Sequence, residues 1–320
     1  MARRAGAAIL NDSARPGRSV VGVLMAVLSA CGFACKGIFA KYLYAGGWDY
    51  QGVLTTRALL ALPLLWAWAL VQTRPGALRG AAPGALLGAA LAGLLCYYAG
   101  ALTDFHALML IDAGVERVLL FAYPSMVVLL HAVLYRTWPT RTAWVSLALT
   151  YAGILLVVSG FDARILSANL AGAGLVLFAA FSFAVYYLAG DQLTRRIGSL
   201  PFSLAALTAS AAALAVHYLV TRGWPRAAHW TSRDVGLMAG LVVFSTILPM
   251  VLMAEGVRRL GAPRAAVVST VGPPTTIVLG ALLLGETLSA AQWTGVALIA
   301  AGILVLELAK RATLTPPEVA

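Results

Sequence analysis

Two basic side chains inside long apolar segments, Lys36 and Arg57, are the residues best suited to chemistry in this sequence. An ionisable group in apolar membrane sequence is costly to bury, so its presence is a hypothesis for function. On a helix, Lys36 shares a face with Ser29, Gly32 and Ala40, small residues typical of a side that faces protein or a cavity. The sequence therefore predicts that Lys36 binds a ligand carboxylate; pairing with a carboxylate of the protein, or a water-filled entrance, stay open as alternatives. Arg57 lies nearer a segment end, where snorkelling or an acidic partner on another helix explains it.

A second group of candidates carries hydroxyls. The tyrosines inside apolar segments are Tyr97, Tyr98, Tyr123, Tyr186 and Tyr187. A buried tyrosine needs a hydrogen-bond partner, and a ligand is one choice among several. Ser269 and Thr270 stand before a Gly-Pro-Pro sequence and either bind a ligand or bond to carbonyls of their own helix. The predicted ligand-binding residues are Lys36, Tyr97, Tyr98, Tyr123, Tyr186, Ser269 and Thr270.

Prolines inside apolar segments mark the candidate hinges. Pro124, Pro273 and Pro274 remove backbone hydrogen bonds, so kinks are expected there. Each kink is either a fixed bend for packing or a moving hinge, and the sequence favours neither. The predicted gating residues are Pro124, Gly272, Pro273 and Pro274.

The composition indicates which elements position these residues. With 61% hydrophobic residues, 11% charged residues and a mean hydropathy of +0.87, the chain of 320 residues is a polytopic membrane protein and not a soluble domain. A transmembrane helix needs about 20 apolar residues. Ten such windows lie near residues 20–45, 50–71, 83–103, 112–135, 142–159, 170–190, 200–221, 235–257, 263–284 and 290–309.

The sequence offers little for catalysis. It shows no nucleotide-binding loop, Ser/His/Asp arrangement or His/Cys cluster, so no enzyme, cofactor or metal is expected. Cys31, Cys35 and Cys96 are interpreted as small buried hydrophobes. Asp104 and Glu116 are assigned to the external turn between the third and fourth windows. Because no carboxylate then lies at the middle of the membrane, coupling to protons is not expected.

The chain contains two copies of one unit. Residues 262–306 align without a gap on residues 113–157, with 13 identities in 45 positions, and residues 172–193 match residues 22–43 more weakly. The repeat is five helices, and an odd unit in tandem enters the membrane from opposite sides. The predicted fold is an all-α polytopic membrane protein with ten transmembrane helices as two inverted five-helix repeats. The predicted boundaries are a tail at 1–18, repeats at 19–160 and 168–309, and a tail at 310–320.

Basic residues predict the orientation. With the N-terminus in the cytoplasm, 15 of the 23 Lys and Arg residues fall in cytoplasmic segments and 6, among them Arg117, fall outside. This satisfies the positive-inside rule and places both termini in the cytoplasm. The net charge of +11 is explained by topology and by anionic lipid headgroups, so nucleic acid is not an expected partner. The expected partners are a small-molecule substrate and membrane lipids, with the chain a monomer or a homodimer.

Several short motifs carry a family resemblance. They are the prolines of the fourth and ninth helices, Leu-Gly-Glu-Thr-Leu at 284–288, Gln-Trp-Thr-Gly at 292–295 and the closing Ala-Gly-Ile-Leu. Over residues 20–309 the chain resembles the EamA branch of the drug/metabolite transporter superfamily and is similar to bacterial aromatic amino-acid exporters. The first copy departs from the pattern, because Arg136-Thr137 stands where the second has Gly285-Glu286. Glu286 is interpreted as a solvated helix end and not as a substrate ligand.

The resemblance implies a central cavity bounded by helices one to four and six to nine, with helices five and ten at the periphery. It implies a transporter of the bacterial inner membrane that exports amino acids or related small metabolites by alternating access around this cavity. Two alternatives stay open. One is a transporter of nucleotide sugars, lipid-linked metabolites or drugs, and the other is a non-transporting scaffold without a cavity.

Overall fold

The computed structural model describes residues 16–72, 82–136, 138–159, 163–223, 230–260, 268 and 271–314. Within these residues the regular structure is helical and contains no β-strand. In chain order the helices are α1 (Pro16–Ala45), α2 (Tyr50–Gln72), α3 (Pro83–Ala107), α4 (Ala113–Tyr135), α5 (Arg141–Ser159), α6 (Ala163–Ile197), α7 (Ser199–Arg222), α8 (residues 232–260), α9 (Gly272–Leu284) and α10 (Ala290–Leu314).

The helices have the length and surface of membrane spans. Eight are long and apolar enough to cross a bilayer, and two shorter apolar helices are Gly272–Leu284 and Ala290–Val305. Large apolar side chains lie on their outer faces, such as Val71 at 85% exposure and Leu155 at 69%. Lipid tails solvate such faces, whereas water does not. The predicted all-α polytopic membrane protein is confirmed, while the number of ten spans and their inversion stay predictions.

Two helices contain π-helical segments at matching positions. The segment in α3 is Leu94–Gly100, and the one in α8 is Val243–Ile247. Their first residues are 149 apart, which is the offset of the sequence repeat. A π segment inserts extra residues into the helical turn and is frequent at functional sites. In both helices, the residues before and after the π segment therefore face the interior from different sides of the helix.

The prolines predicted to kink helices lie at helix starts. The helical pattern of α4 breaks after Leu120 and restarts at Tyr123, so Pro124 falls in the first turn of the second segment. Pro273 and Pro274 lie in the first turn of α9. A missing N–H costs no hydrogen bond there. The break in α4 is the expected kink, and the role of these residues as hinges stays a prediction.

Helices α4 and α9 both end on a left-handed residue. Arg136 follows α4 with a φ of 51°, and Gly285 follows α9 with a φ of 68°. Among the described residues, Arg136 is the sole non-glycine residue with a positive φ. Glycine adopts this conformation without a Cβ clash, whereas other residues are strained. The two repeats therefore share a helix end, but only the second has the residue that suits it.

Helices α5 and α10 pack closely against each other. A Cβ atom on Gly153 would lie 2.6 Å from the carbonyl oxygen of Gly295, and a Cβ on Gly295 would lie 2.6 Å from that of Gly153. Further along, the Ser146 hydroxyl donates to the carbonyl of Gly302 at 2.7 Å. Close backbone contact of this kind needs small residues at the crossing.

Two further crossings surround the interior. Gly32 of α1 packs against Pro249 of α8, and a Cβ at Gly32 would lie only 2.5 Å from the proline ring. Gly100 of α3 meets Ser182 of α6, where a Cβ would lie 2.9 Å from the serine side chain. Lys36 lies one turn after Gly32 on the same face of α1. These crossings thus position Lys36 toward the space between the helices.

Candidate functional site

A cavity of about 530 Å³ lies between the helices. Its lining comes from α1, α2, α3, α4, α6, α7 and α8, and α5, α9 and α10 contribute no side chain to it within the described residues. The polar lining from the first half of the chain includes Lys36, Arg57, Tyr97, Asp104, Arg117 and Tyr123. Pockets that hold small molecules have volumes of roughly 300–1,000 Å³. The space is therefore large enough for a metabolite.

Lys36 forms a buried triad with two carboxylates. Its ammonium group donates to Asp104 Oδ2 and, at 3.0 Å, to Glu116 Oε1. Lys36 is 9% exposed, Asp104 3% and Glu116 1%. The remaining oxygens, Asp104 Oδ1 and Glu116 Oε2, have no hydrogen-bond partner among the described residues. Of the alternatives left open by the sequence, the structure agrees with pairing between Lys36 and carboxylates of the protein.

The positions of Asp104, Glu116 and Arg117 correct the sequence analysis. All three were assigned to an external turn, but α3 continues to Ala107 and α4 begins at Ala113, so all three lie within helices. The helices continue because Lys36 compensates the carboxylates, and a compensated charge does not end a span. Asp104 lies in the last turn of α3 and Glu116 in the first turn of α4, so their assignment to the turn is wrong, while the absence of a carboxylate from the middle of the membrane stays a prediction.

Two arginines face the cavity over aromatic rings. The Arg57 guanidinium lies 5.1 Å from the centre of the Phe105 ring, and that of Arg117 lies 5.1 Å from the centre of the Phe121 ring. Among the described residues, neither arginine has a carboxylate oxygen within 4.0 Å, and Arg117 Nε has no hydrogen-bond partner. Cation–π contacts stabilise such groups by about 0.5–2 kcal/mol each, less than a paired carboxylate supplies when buried. The cluster of three cations and two carboxylates thus retains one positive charge.

Aromatic side chains form the adjacent wall. Tyr123 of α4 stacks on Tyr187 of α6, with ring centres 5.1 Å apart and an interplanar angle of 10°. Phe183 of α6 packs edge-on against Tyr97 at 6.2 Å. All four line the cavity. The space therefore combines a charged region with a flat aromatic one.

The structure brings together only part of the predicted set of ligand-binding residues. Lys36, Tyr97 and Tyr123 line the cavity, whereas Tyr98 and Tyr186 do not. The Tyr98 hydroxyl forms a hydrogen bond of 2.9 Å with Nδ1 of His217 on α7, away from the cavity. Tyr186 packs on the ring of Phe202 at 5.1 Å, also on α7.

The remaining predicted residues lie elsewhere. Ser269 and Thr270 fall outside the described residues. Gly272 is buried at the start of α9, where an added Cβ would lie 3.3 Å from Arg117 Nη2. The absence of a side chain at Gly272 thus leaves room for the Arg117 guanidinium. Pro124 and Pro273 occupy the helix starts described above.

Glu286 corrects a second interpretation. Its carboxylate accepts hydrogen bonds from the backbone N–H groups of Ala113 at 2.9 Å and Gly114 at 3.2 Å, and it lies 3.3 Å from Lys41 Nζ. Its side chain is 9% exposed, so it is not a solvated helix end. Burial, and then the charge of Glu286, raise the pKa of the nearby Asp112 in the α3–α4 turn, while Lys41 acts in the opposite sense. Glu286 therefore caps α4 and joins the end of α9 to α1 and α4.

Together, the helices and the cavity define a multi-pass membrane protein with a charged and aromatic internal site. The sequence profile described as EamA-like transporter family matches residues 20–159 and again residues 170–308. The chain belongs to this family, and the resemblance found in the sequence is confirmed. It is a multi-pass membrane transporter of the EamA type.

The relatives are transporters as well. The chain is 33% identical over 281 residues to "Uncharacterized transporter YcbK" of Bacillus subtilis (strain 168), covering 87% of this chain and 89% of that protein. It is 26% identical over 211 residues to "Uncharacterized inner membrane transporter YedA" of Escherichia coli (strain K12), covering 66% of this chain and 67% of that protein. A crystal structure of a protein with 17% identity matches with a TM-score of 0.58 over 94% of this chain and 100% of that one, which shows the fold alone.

Proposed function

We propose that the protein exports amino acids, or closely related small metabolites with a carboxylate, from the cytoplasm across the bacterial inner membrane. The observation that carries this proposal is the excess of one cation in a buried cavity that has aromatic walls. Arg57 and Arg117 have no carboxylate within 4.0 Å among the described residues. A substrate carboxylate supplies the missing partner, and arginine suits carboxylates because its guanidinium donates two parallel hydrogen bonds.

The opposite charge of an amino acid also finds a partner. Asp104 lines the cavity, and its Oδ1 atom accepts no hydrogen bond from the described residues. We assign it to the substrate's ammonium group. Lys36, predicted from the sequence to bind the carboxylate, holds Asp104 in place from the other side. The substrate would then lie with its carboxylate at the arginines and its ammonium at Asp104.

The apolar part of the cavity suits a side chain. The second half of the chain lines it with Phe183, Tyr187, Leu207, Leu214, Met250 and Met253. No charged residue from that half lines the cavity within the described residues. Burying an apolar side chain there contributes about 25 cal/mol per Å². Amino acids with apolar or aromatic side chains fit this arrangement best.

Paired contacts support the proposed two inverted five-helix repeats. The repeat offset of 149 pairs Ser146 with Gly295, and it pairs Gly153 with Gly302. When each residue is replaced by its counterpart, the contact of Ser146 with Gly302 becomes the contact of Gly295 with Gly153, which is also present. In the same way, Gly32 corresponds to Ser182 at an offset of 150, and Pro249 corresponds to Gly100 at an offset of 149. The contact of Gly32 with Pro249 therefore has a counterpart in the contact of Ser182 with Gly100. Exchange of this kind is what a two-fold axis generates. The contacts of α5 with α10 also run antiparallel, as inverted repeats require.

Alternating access then follows from motion of one repeat against the other. In the proposed topology both termini are cytoplasmic, and Glu286 holds α1, α4 and α9 together at the outer end. The cavity reaches Met253 toward the inner end of α8. This arrangement corresponds to a state that is closed to the outside. A scaffold without transport is disfavoured because it has no use for an internal cavity with charged walls.

Counterflow into proteoliposomes tests the proposal. We expect uptake of labelled apolar or aromatic amino acids, but not of the corresponding amino-acid amides, nucleotide sugars or cationic drugs. Arg57→Gln and Arg117→Gln should each weaken apparent affinity about ten- to hundredfold, because each removes a charged partner worth about 1.5–3 kcal/mol. The control is Arg233→Gln, at an exposed arginine outside the cavity. Transport of the amide at the rate of the acid, or unchanged transport by both cavity variants, would refute the proposal.

A further inference from the structure

Ser245, in the π segment of α8, has a hydroxyl group without a hydrogen-bond partner. The side chain lines the cavity and is 2% exposed, and its Oγ atom makes no hydrogen bond with any described residue. A buried hydroxyl that is left unpaired is unfavourable, and nearly all buried polar groups are paired. The free hydroxyl of Ser245 therefore needs an explanation.

The π segment explains why Ser245 finds no partner in its own helix. A serine inside a helix can donate to the carbonyl group four residues earlier. Ser210 of α7, which also lines the cavity, donates in this way to Ala206 at 2.7 Å. For Ser245 that carbonyl belongs to Leu241, but it accepts a hydrogen bond of 2.9 Å from the Thr246 hydroxyl. The hydroxyl of Ser245 is therefore left for a molecule in the cavity.

The packing of α2 against α8 gives the position of Ser245 relative to the charged region. Ala61 and Leu65 of α2 form one apolar cluster with Val242 of α8, and Ser245 follows Val242 by three residues. Ala61 and Leu65 lie one and two turns after Arg57, or roughly 6 and 12 Å along the helix. The distance from the arginine to the level of Ser245 is therefore of the order of the length of a large amino acid.

The first repeat has no such hydroxyl. At the offset of 149, Ser245 corresponds to Cys96, which lies in the π segment of α3 and is 0% exposed. A thiol is only a weak hydrogen-bond donor and acceptor. The same helical segment is thus built with a residue that needs no partner, so the fold does not require a hydroxyl at Ser245.

We propose that Ser245 selects amino acids whose long apolar side chain ends in a hydroxyl group. The inference rests on the proposed function and specifies the side chain of the substrate. With the substrate carboxylate at Arg57 and Arg117, a long side chain extends through the apolar part of the cavity to Ser245. Rotation about the Cα–Cβ bond turns the serine hydroxyl toward it. This hydroxyl both donates and accepts, so it pairs with a hydroxyl of the substrate. Short side chains such as that of serine do not reach it.

Competition against counterflow of labelled phenylalanine in proteoliposomes tests this selectivity. Free tyrosine should bind about three- to tenfold more tightly than phenylalanine, the gain expected from one hydrogen bond. The analogue para-methylphenylalanine, as large as tyrosine but without a hydroxyl, should show no such gain. Ser245→Ala should abolish the preference for tyrosine and bind phenylalanine at least as well as the parent does, and Ser245→Cys, which keeps the size of the side chain, should also lose the preference. The control is Ser210→Ala, which removes a hydroxyl already bonded within its helix and should leave the preference unchanged.

The outcomes separate this inference from the proposed function. Equal affinities of the parent for tyrosine and phenylalanine, or for tyrosine and para-methylphenylalanine, overturn the selection by a hydroxyl and leave the proposed function intact. A preference for tyrosine that persists without the Ser245 hydroxyl overturns the role of this residue. Failure of the parent to bind or move any amino acid overturns both proposals. The first comparison needs no variant, and either Ser245 variant decides the second.

Discussion

Replacement of Glu286 by alanine should loosen the junction of α1, α4 and α9. The carboxylate accepts two backbone N–H bonds, from Ala113 at 2.9 Å and Gly114 at 3.2 Å, and pairs with Lys41 at 3.3 Å. Hydrogen bonds to charged groups contribute about 1.5–3 kcal/mol each, and loss of an N-cap costs about 1 kcal/mol where water replaces it. Because the side chain is 9% exposed, water replaces it in part, and we expect a cost of about 2 kcal/mol.

Two assays measure this cost. The apparent melting temperature in detergent should fall by about 4 °C. If α4 and α9 separate when the transporter opens outward, the same energy shifts the equilibrium toward the open state about thirtyfold. An impermeant thiol reagent should then label Leu54→Cys, in the cavity wall, faster from outside, in a background with the three native cysteines replaced.

The matched control is Glu255→Ala. That carboxylate lies 2.6 Å from Arg259 one turn away on the same helix and is 26% exposed. An ion pair of this kind contributes about 0.3–0.5 kcal/mol, so the melting temperature should fall less than in Glu286→Ala. Equal melting temperatures for the two alanine variants would refute the role of Glu286 as a clasp. A large fall in melting temperature without faster labelling would show that Glu286 stabilises the fold but does not hold α4 and α9 together against opening.

Further substitutions test the helix ends, the packing of α5 against α10 and the pH dependence of stability. Arg136→Gly should raise stability by about 1 kcal/mol because glycine relieves the strain of a φ of 51°. Gly285→Ala should lower stability by about as much, because it introduces a Cβ at a positive φ. Both changes are measured as melting temperatures, and melting temperatures equal to that of the parent would contradict the strain. Gly153→Ala should lower the free energy of unfolding by more than about 2 kcal/mol, because the new Cβ would lie 2.6 Å from the α10 backbone. The control is Gly174→Ala, whose Cβ would lie in open space, and it should elute in gel filtration and melt as the parent does. Burial raises the pKa of the Asp112 carboxyl above 3.8, so its contribution to stability is complete below pH 3.8 and is lost as the pH rises through the raised pKa. The stability of Asp112→Asn relative to the parent should therefore increase over this pH range. A stability difference between variant and parent that does not change with pH would contradict this.

The elements were largely predictable from apolar windows. The predicted window 50–71 compares with α2 at Tyr50–Gln72, and 112–135 compares with α4 at Ala113–Tyr135. The third window failed at its end, because Asp104 was counted as the start of a turn while α3 continues to Ala107. Hydropathy treats every charge as a loop signal, whereas a buried cation elsewhere in the chain can keep a carboxylate inside a helix.

The site was predictable only in part for a related reason. Tyr97 and Tyr98 are neighbours of the same type, yet the first lines the cavity and the second bonds to His217 on α7. Both lie in the π segment Leu94–Gly100, where the usual spacing of 3.6 residues per turn does not hold. A helical-wheel argument cannot assign the face of a residue there. The choice between them depends on packing that the sequence does not display.

A comparison of the two repeats does contain a signal for the charged site. At the repeat offset, Lys36 corresponds to Tyr186, Arg57 to Leu207 and Asp104 to Met253. The second repeat builds the same helices with uncharged residues at these positions, so the fold does not require the charges of the first. Residues that the scaffold does not need, and that are costly to bury, are the ones that function retains. The proposed substrate, a molecule with one charged end and one apolar end, would account for this difference between the two halves.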